Sequence, residues 1–140
     1  GASQEDQNRS YEFGRNLGIA FQLQDDYLDA FGNPETFGKQ VGGDIIENKK
    51  TYLYLKALEF SSESDQQKLK NLFSTQTTDS KDKVEIVKQI FNASGSSEAT
   101  KKAIQHYTSK AFSGLELLTI SEEKKTILKT FGTSLMDRTV

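Results

Sequence analysis

Over residues 5–30 apolar side chains recur at three- and four-residue intervals, a period that fits a helix and not a half-buried strand. Phe13, Leu17, Ala20, Phe21, Leu23, Tyr27 and Leu28 carry the repeat. On that helix Gln22, Asp25, Asp26 and Asp29 share one face, because residues three and four apart are neighbours. Ile19, Ala20, Phe21, Leu23, Tyr27, Leu28, Ala30 and Phe31 occupy most of the remaining surface. A helix apolar nearly all round is a buried one. Three carboxylates turned inward would repel each other and lose hydration, at a cost on the order of several kcal/mol per ion. Cations would neutralise such a stripe, and hard oxygen ligands select Mg²⁺ or Mn²⁺ over softer metals. Magnesium keeps waters and shares one or two carboxylates with phosphate oxygens. From spacing alone, a solvated acidic face stands level with a metal site.

The rest of the chain reads as helix punctuated by polar breaks. Gly32-Asn33-Pro34 stops the first helix, since proline supplies no N–H and glycine tolerates a turn. A Gly-rich loop over 37–43 follows, and a second helix carries residues 51–58. Ser62, ahead of Glu63 and Asp65, is an N-cap with acids in the first turn of a helix that ends near Phe73. Residues 74–80 lack periodicity and read as a loop. The pattern predicts a short helix over 83–92, a loop over 92–97 and a longer helix over 98–118. The short one uses Val84, Val87, Ile90 and Phe91. The longer one uses Ala103, Ile104, Tyr107, Ala111, Leu115 and Leu118. Ser121, with Glu122 and Glu123, caps a last helix expected to pack Ile127, Leu128, Phe131, Leu135 and Met136. The whole of residues 1–140 reads as one all-α segment.

Composition excludes several kinds of chemistry. The chain has no cysteine, which removes disulfides, thiolate metal sites and cysteine nucleophiles. Its single histidine, His106, lies near the apolar side of a helix and reads as structural rather than as a base. A net charge of −2 gives no global drive toward nucleic acid. No apolar run approaches the roughly 18–20 residues that span a bilayer. The polar start does not resemble a signal peptide, so a cytoplasmic location is expected. Tyr52 and Tyr54, two apart, cannot share a helix face, so one of them packs. Glu122-Glu123-Lys124-Lys125 and Lys101-Lys102 read as solvated helix faces.

The loop after the acidic stripe favours the metal reading. Lys39 follows Phe37-Gly38, and Lys49 and Lys50 follow Asp44-Ile45-Ile46-Glu47-Asn48. A glycine-rich connection lets backbone approach a phosphate, and lysines supply point charges for it. Gly38-Lys39 is not a P-loop, because the spaced glycines and the following Ser/Thr are missing.

Phe21-Gln22-Leu23-Gln24-Asp25-Asp26-Tyr27-Leu28-Asp29 resembles the second DDxxD region of trans-prenyl (polyprenyl, farnesyl or geranylgeranyl) diphosphate synthases. The resemblance continues through Phe31-Gly32-Asn33-Pro34, Gly38-Lys39, Gly43-Asp44-Ile45 and Asn48-Lys49-Lys50-Thr51. Upstream, Phe13-Gly14-Arg15-Asn16-Leu17-Gly18-Ile19-Ala20 resembles the helix leading into that motif. It is strongest over residues 5–58 and implies the helices of the isoprenoid (terpenoid) synthase fold.

By this resemblance, Asp25 and Asp29 would bind Mg²⁺ carried by an allylic diphosphate, with Asp26 a ligand or just behind one. Lys39 and Lys49 would contact the diphosphate, and Gln22 would line the pocket near the reacting carbons. Phe21, with Phe13, Phe31 and Phe37, would either line an isoprenoid tunnel or serve as plain core. The implied reaction ionises the allylic diphosphate, couples it head to tail with isopentenyl diphosphate and returns a proton to the leaving diphosphate.

Only one aspartate-rich motif is found here, whereas the family carries two on facing helices. The chain is therefore expected to be the C-terminal part of a longer, dimeric synthase, and inactive alone. A terpene cyclase, a non-catalytic partner subunit, and a metal-dependent interaction module whose acidic stripe serves a partner helix are the alternatives.

Overall fold

The computed structural model describes residues 4–32, 42–74 and 80–137. Every regular element among them is helical. In chain order these are α1 (Gln4–Phe31), α2 (Gly43–Ile46), α3 (Tyr52–Phe60), α4 (Glu63–Leu72), α5 (Ser80–Ser94), α6 (Ser96–Glu116) and α7 (Glu122–Met136). The predicted 37–43 loop, with Phe37, Gly38 and Lys39, lies outside the described residues except at its end, as do residues 75–79 of the next loop.

Local chemistry accounts for most of the helix ends. Glu5 and Asp6 put negative charge in the first turn of α1, where the helix dipole favours it. The helix closes where the Gly32 N–H donates to the Leu28 carbonyl at 2.7 Å. The Ser62 and Ser121 hydroxyls accept from Asp65 N at 3.3 Å and Lys124 N at 3.2 Å, capping α4 and α7 as their sequences predict. Two features differ from the prediction. The loop expected over 92–97 shrinks to Gly95, whose φ of 90° turns the chain between α5 and α6. A one-turn helix, α2, occupies residues expected to be irregular, because four residues are too few to show a period.

The chain divides into two compact units: residues up to Gln24 with those from Lys102 on, and Asp25–Lys101. In the second unit the core is Ala30, Ile45, Leu53, Tyr54, Ala57, Leu69, Phe73, Val87, Ile90 and Phe91. Phe91, Leu53 and Leu69 are essentially inaccessible to water, and Tyr54 packs its ring 4.4 Å from that of Phe73. Tyr54 is thus the packed member of the tyrosine pair, while Tyr52 is half-buried. The Ser96 hydroxyl donates to the Leu53 carbonyl at 2.5 Å and ties α6 to α3.

The first unit gathers Phe13, Leu17, Ala111, Leu115 and Leu118, with Phe112, Ile120, Leu128, Leu135 and Met136 packed against them. Arg9 donates to the Leu117 carbonyl at 2.9 Å, and Asp6 accepts from Thr119 N at 3.1 Å. Here α7 packs Leu128, Leu135 and Met136 as predicted, but not Ile127 and Phe131. Lys125 and Gly132 are buried, whereas Ile127 and Phe131 are 61% and 59% exposed. A side chain at Gly132 would meet Phe112 Cζ at 2.9 Å, so close approach at this glycine sets the rotation of α7. Lys125 is accordingly no solvated-face residue. Its ammonium donates to the Glu116 carbonyl at 3.0 Å, at the end of α6. No helix among the described residues is long and apolar enough to cross a membrane.

Candidate diphosphate and metal site

The last two turns of α1 bring Asp25, Asp26 and Asp29 into the second unit. Asp25 is half-buried, and Asp26 and Asp29 are each only 7% exposed. The apolar flanks thus bury the stripe, and a solvated acidic face does not describe it. Asp29 holds the start of α2 with both its backbone and its side chain. Its carbonyl accepts from Gly42 N at 2.5 Å, and its Oδ2 accepts from Asp44 N at 2.8 Å. A carboxylate receiving an orphan amide of a helix's first turn is a charge-assisted cap. Gly42 enters α2 at φ 91°, a conformation open to glycine without steric cost.

At the other end of α2, Asn48 turns the chain through φ 60°. Its N–H donates to the Ile45 carbonyl at 3.1 Å, and the Lys49 N–H donates to the Asp44 carbonyl at 2.8 Å. The chain is thereby folded back, and the Lys49 ammonium lies 3.5 Å from Asp26 Oδ1 and 3.8 Å from Asp44 Oδ2. Asp26, Asp44 and Lys49 form one cluster although they are up to 23 residues apart in sequence.

The electrostatics of the cluster are unbalanced toward negative charge. Burial raises the Asp44 carboxyl above the ordinary aspartate range, and Asp29 raises it further. Lys49 opposes that rise, while Asp26 and Asp25 add to it. For Lys49, burial works against the charged form, but Asp26, Asp44 and Asp25 outweigh it and hold the ammonium above ordinary lysine. A divalent cation is the chemical counterpart of such a field. Among the described residues no three carboxylate or imidazole side chains close into a ready-made metal cage. Magnesium does not require one, because it is commonly held by one or two carboxylates together with phosphate oxygens and water. The donor set is all oxygen and fits Mg²⁺ or Mn²⁺ on those terms.

Other sequence candidates fall in several places. Gln22 is exposed and Phe21 half-buried, both one turn upstream on α1. Lys39 lies outside the described residues. Lys50 is exposed. His106 is exposed with its ring 5.1 Å from that of Tyr107, far from a buried base in character. Two participants were missed as site residues. Asp44 stood in view within Gly43-Asp44-Ile45, five residues before Lys49, but only the one-turn helix brings its carboxylate to the lysine. Lys83, on α5, donates to Asn48 Oδ1, and nothing in the local pattern links positions 35 residues apart.

Comparison with known proteins gives the family and the fold. A family model described as polyprenyl synthetase matches residues 1–93. The short chain isoprenyl diphosphate synthase of Methanothermobacter thermautotrophicus is 35% identical over 116 residues, covering 83% of this chain and 35% of that protein. The octaprenyl diphosphate synthase of Escherichia coli is 32% identical over 118 residues, covering 84% of this chain and 36% of that protein. The chain thus spans about a third of the length of the curated relatives it matches. A crystal structure of a geranylgeranyl pyrophosphate synthase superposes with a TM-score of 0.85 at 48% identity. That match covers 99% of this chain and 43% of the other, so the all-α isoprenoid synthase fold expected from the sequence is the fold found. With two thirds of its residues matched by the family model and its helices superposing on a synthase, the chain belongs to the polyprenyl synthetase family.

Proposed function

We propose that residues 21–51 form the second aspartate-rich wall of a Mg²⁺-dependent trans-prenyl diphosphate synthase. The whole enzyme joins an allylic diphosphate to isopentenyl diphosphate in head-to-tail elongation. The observation that carries this reading is the cluster in which an exposed Lys49 reaches the buried Asp26 and the half-buried Asp44 while the buried Asp29 caps α2. Asp25, Asp26 and Asp29 would hold the metal, with Mn²⁺ an acceptable substitute. Bound there, the metal would neutralise charge on the departing diphosphate, which is the step that limits ionisation.

The chain's own residues supply the rest of the site. Lys49, set between two carboxylates, is held in its charged form and positioned to take a diphosphate oxygen. Lys39 is proposed for the same ligand. Gln22 and Phe21 are proposed to line the path of the allylic chain, where apolar side chains keep water from the developing cation. Because the chain spans about a third of its relatives, the opposing wall, the isopentenyl diphosphate subsite and a homodimeric assembly are proposed for a longer protein.

Titration calorimetry with Mg²⁺ and inorganic pyrophosphate tests the reading. Metal uptake should depend on pyrophosphate and be lost in Asp25→Ala. Micromolar uptake of Mg²⁺ without pyrophosphate would sink it in favour of a metal-dependent interaction module. The 140 residues alone should give no product in a radiolabelled prenyl-transfer assay, and turnover would refute the need for a second wall.

A further inference from the structure

The first turns of α5 meet α2 at both ends. At the entry, the Val84 side chain lies over Gly42 so closely that a Cβ there would come within 2.8 Å of Cγ1. At the exit, the Lys83 ammonium donates to the Asn48 side-chain oxygen. Lys83 is 3% exposed, so its charged head does not reach water along the usual snorkelling route. It lies instead 5.8 Å above the Phe73 ring, a cation–π contact inside the core of this unit. Burial holds it below the ordinary lysine range. A buried lysine is a costly means of filling space. What it grips is Asn48, which lies in the left-handed region immediately before Lys49.

We infer that Lys83 is a positioning residue for Lys49: by holding Asn48 in its left-handed turn, it aims the Lys49 ammonium at Asp26 and Asp44. The inference rests on the reading of Lys49 as the diphosphate-binding cation. In its favour, the hydrogen bonds that define the turn all close around Asn48. They are Asn48 N to Ile45 O, Lys49 N to Asp44 O and Thr51 N to Lys49 O. Asparagine enters the left-handed region more readily than most L-residues but still at a cost, so loss of the clamp shifts Asn48 toward negative φ and Lys49 away from the carboxylates. A glycine at position 48 would need no clamp, because it populates positive φ freely.

That asymmetry supplies the test. Wild type, Lys83→Met, Asn48→Ala and the double variant Lys83→Met/Asn48→Gly are compared by two measurements. Amide hydrogen exchange at Lys49 reads the turn without ligand, with the core amide of Phe91 as control. Calorimetric titration with Mg²⁺ and inorganic pyrophosphate reads the site. Lys83→Met and Asn48→Ala should each speed Lys49 exchange and weaken pyrophosphate binding about tenfold, the lower end of what a supporting residue contributes. Exchange at Phe91 should be unchanged, and Lys83→Met/Asn48→Gly should recover both Lys49 exchange and binding. Unchanged Lys49 exchange in Lys83→Met overturns the inference, as does equal acceleration at Phe91, which would make Lys83 a stability residue. Failure of glycine to rescue also overturns it. If Lys83→Met does not fold, Lys83→Gln, too short to keep the Asn48 contact, takes its place alone and in the Asn48→Gly double variant, with the same outcomes. Wild-type protein that shows the exchange pattern but binds no Mg²⁺–pyrophosphate would refute the diphosphate site while leaving the turn's dependence on Lys83 intact.

Discussion

Replacing Gly42 by alanine attacks the entry to α2 in two separable ways. The residue sits at φ 91°, where an L side chain clashes with its own following carbonyl, a cost of about 1–2 kcal/mol. The new Cβ would also lie 2.8 Å from Val84 Cγ1 and 2.9 Å from Cγ2. Overpacking of that kind costs about 1–3 kcal/mol. Stiffening of the unfolded chain returns about 0.4–1 kcal/mol. The expected net loss is therefore about 1–5 kcal/mol, centred near 3. Urea denaturation of Gly42→Ala, Val84→Ala and the double variant apportions it. If the clash is real, the double variant should be more stable than the two single losses predict, by about 1–2 kcal/mol. The residual loss belongs to the backbone and should persist whatever stands at position 84. A loss below about 0.5 kcal/mol in Gly42→Ala would refute the geometry at this turn, since neither the left-handed backbone nor the contact could then be as described. Full additivity would refute the contact alone.

Asp29 and Asp44 yield two further tests. Asp29→Asn keeps an acceptor for Asp44 N and removes a charge that disfavours the Asp44 carboxylate, so stability should change by less than about 1 kcal/mol, whereas Asp29→Ala should cost about 1–2 kcal/mol as a lost cap. Denaturation midpoints separate the two variants, and equal losses would show that the charge rather than the acceptor supports α2. Because the Asp44 carboxyl is raised by burial and by Asp29, the folded state binds its proton more tightly than the unfolded chain does. Its contribution to stability is then greatest below the unfolded aspartate value and declines as pH rises through the raised folded value. Asp44→Asn should remove that decline and be the more stable protein at neutral pH. Stability curves of the two proteins running parallel from pH 3 to pH 7 would contradict the raised carboxyl.

Periodicity was enough to find the long helices but not the faces or turns that depend on a neighbour. On α6 Ala111 and Leu115 are buried as the spacing predicts, as is Leu118 just beyond the helix end, while Ala103, Ile104 and Tyr107 are half-buried. On α7 the same reasoning chose Leu128, Leu135 and Met136, which pack, together with Ile127 and Phe131, which are exposed, because a helix with apolar residues on two faces has two admissible stripes. Gly132 decides between them. Its missing side chain lets Phe112 approach, and that rotation buries Lys125 against the Glu116 carbonyl. No local rule prefers a buried lysine, so this information resides in the pairing of two helices. The acidic stripe was legible for the opposite reason. Asp26 and Asp29 lie on a long helix whose other faces are apolar, so one element sufficed to predict their burial.

The lysines show what a single turn adds to a legible motif. Lys49 and Lys50 are adjacent, and no spacing argument says which of them serves an anionic ligand. In the structure α2 brings Lys49 to the acidic cluster. Four residues of helix advance the chain by only about 6 Å, so the residue after α2 returns close to the acids at its start. Asn48 then reverses the backbone, and the amide of Lys49 closes onto the carbonyl of Asp44. That closure ties the lysine to the very residue whose amide Asp29 caps, so the acidic stripe and the cation are linked through the backbone of one residue, Asp44, as well as through side chains. Lys49 and Lys50 are both exposed, so what sets Lys49 apart is this closure and its approach to Asp26 and Asp44. The approach of Lys49 to the acidic cluster is thus a property of backbone geometry. It depends on an aspartate cap at one end of α2 and on a left-handed asparagine at the other.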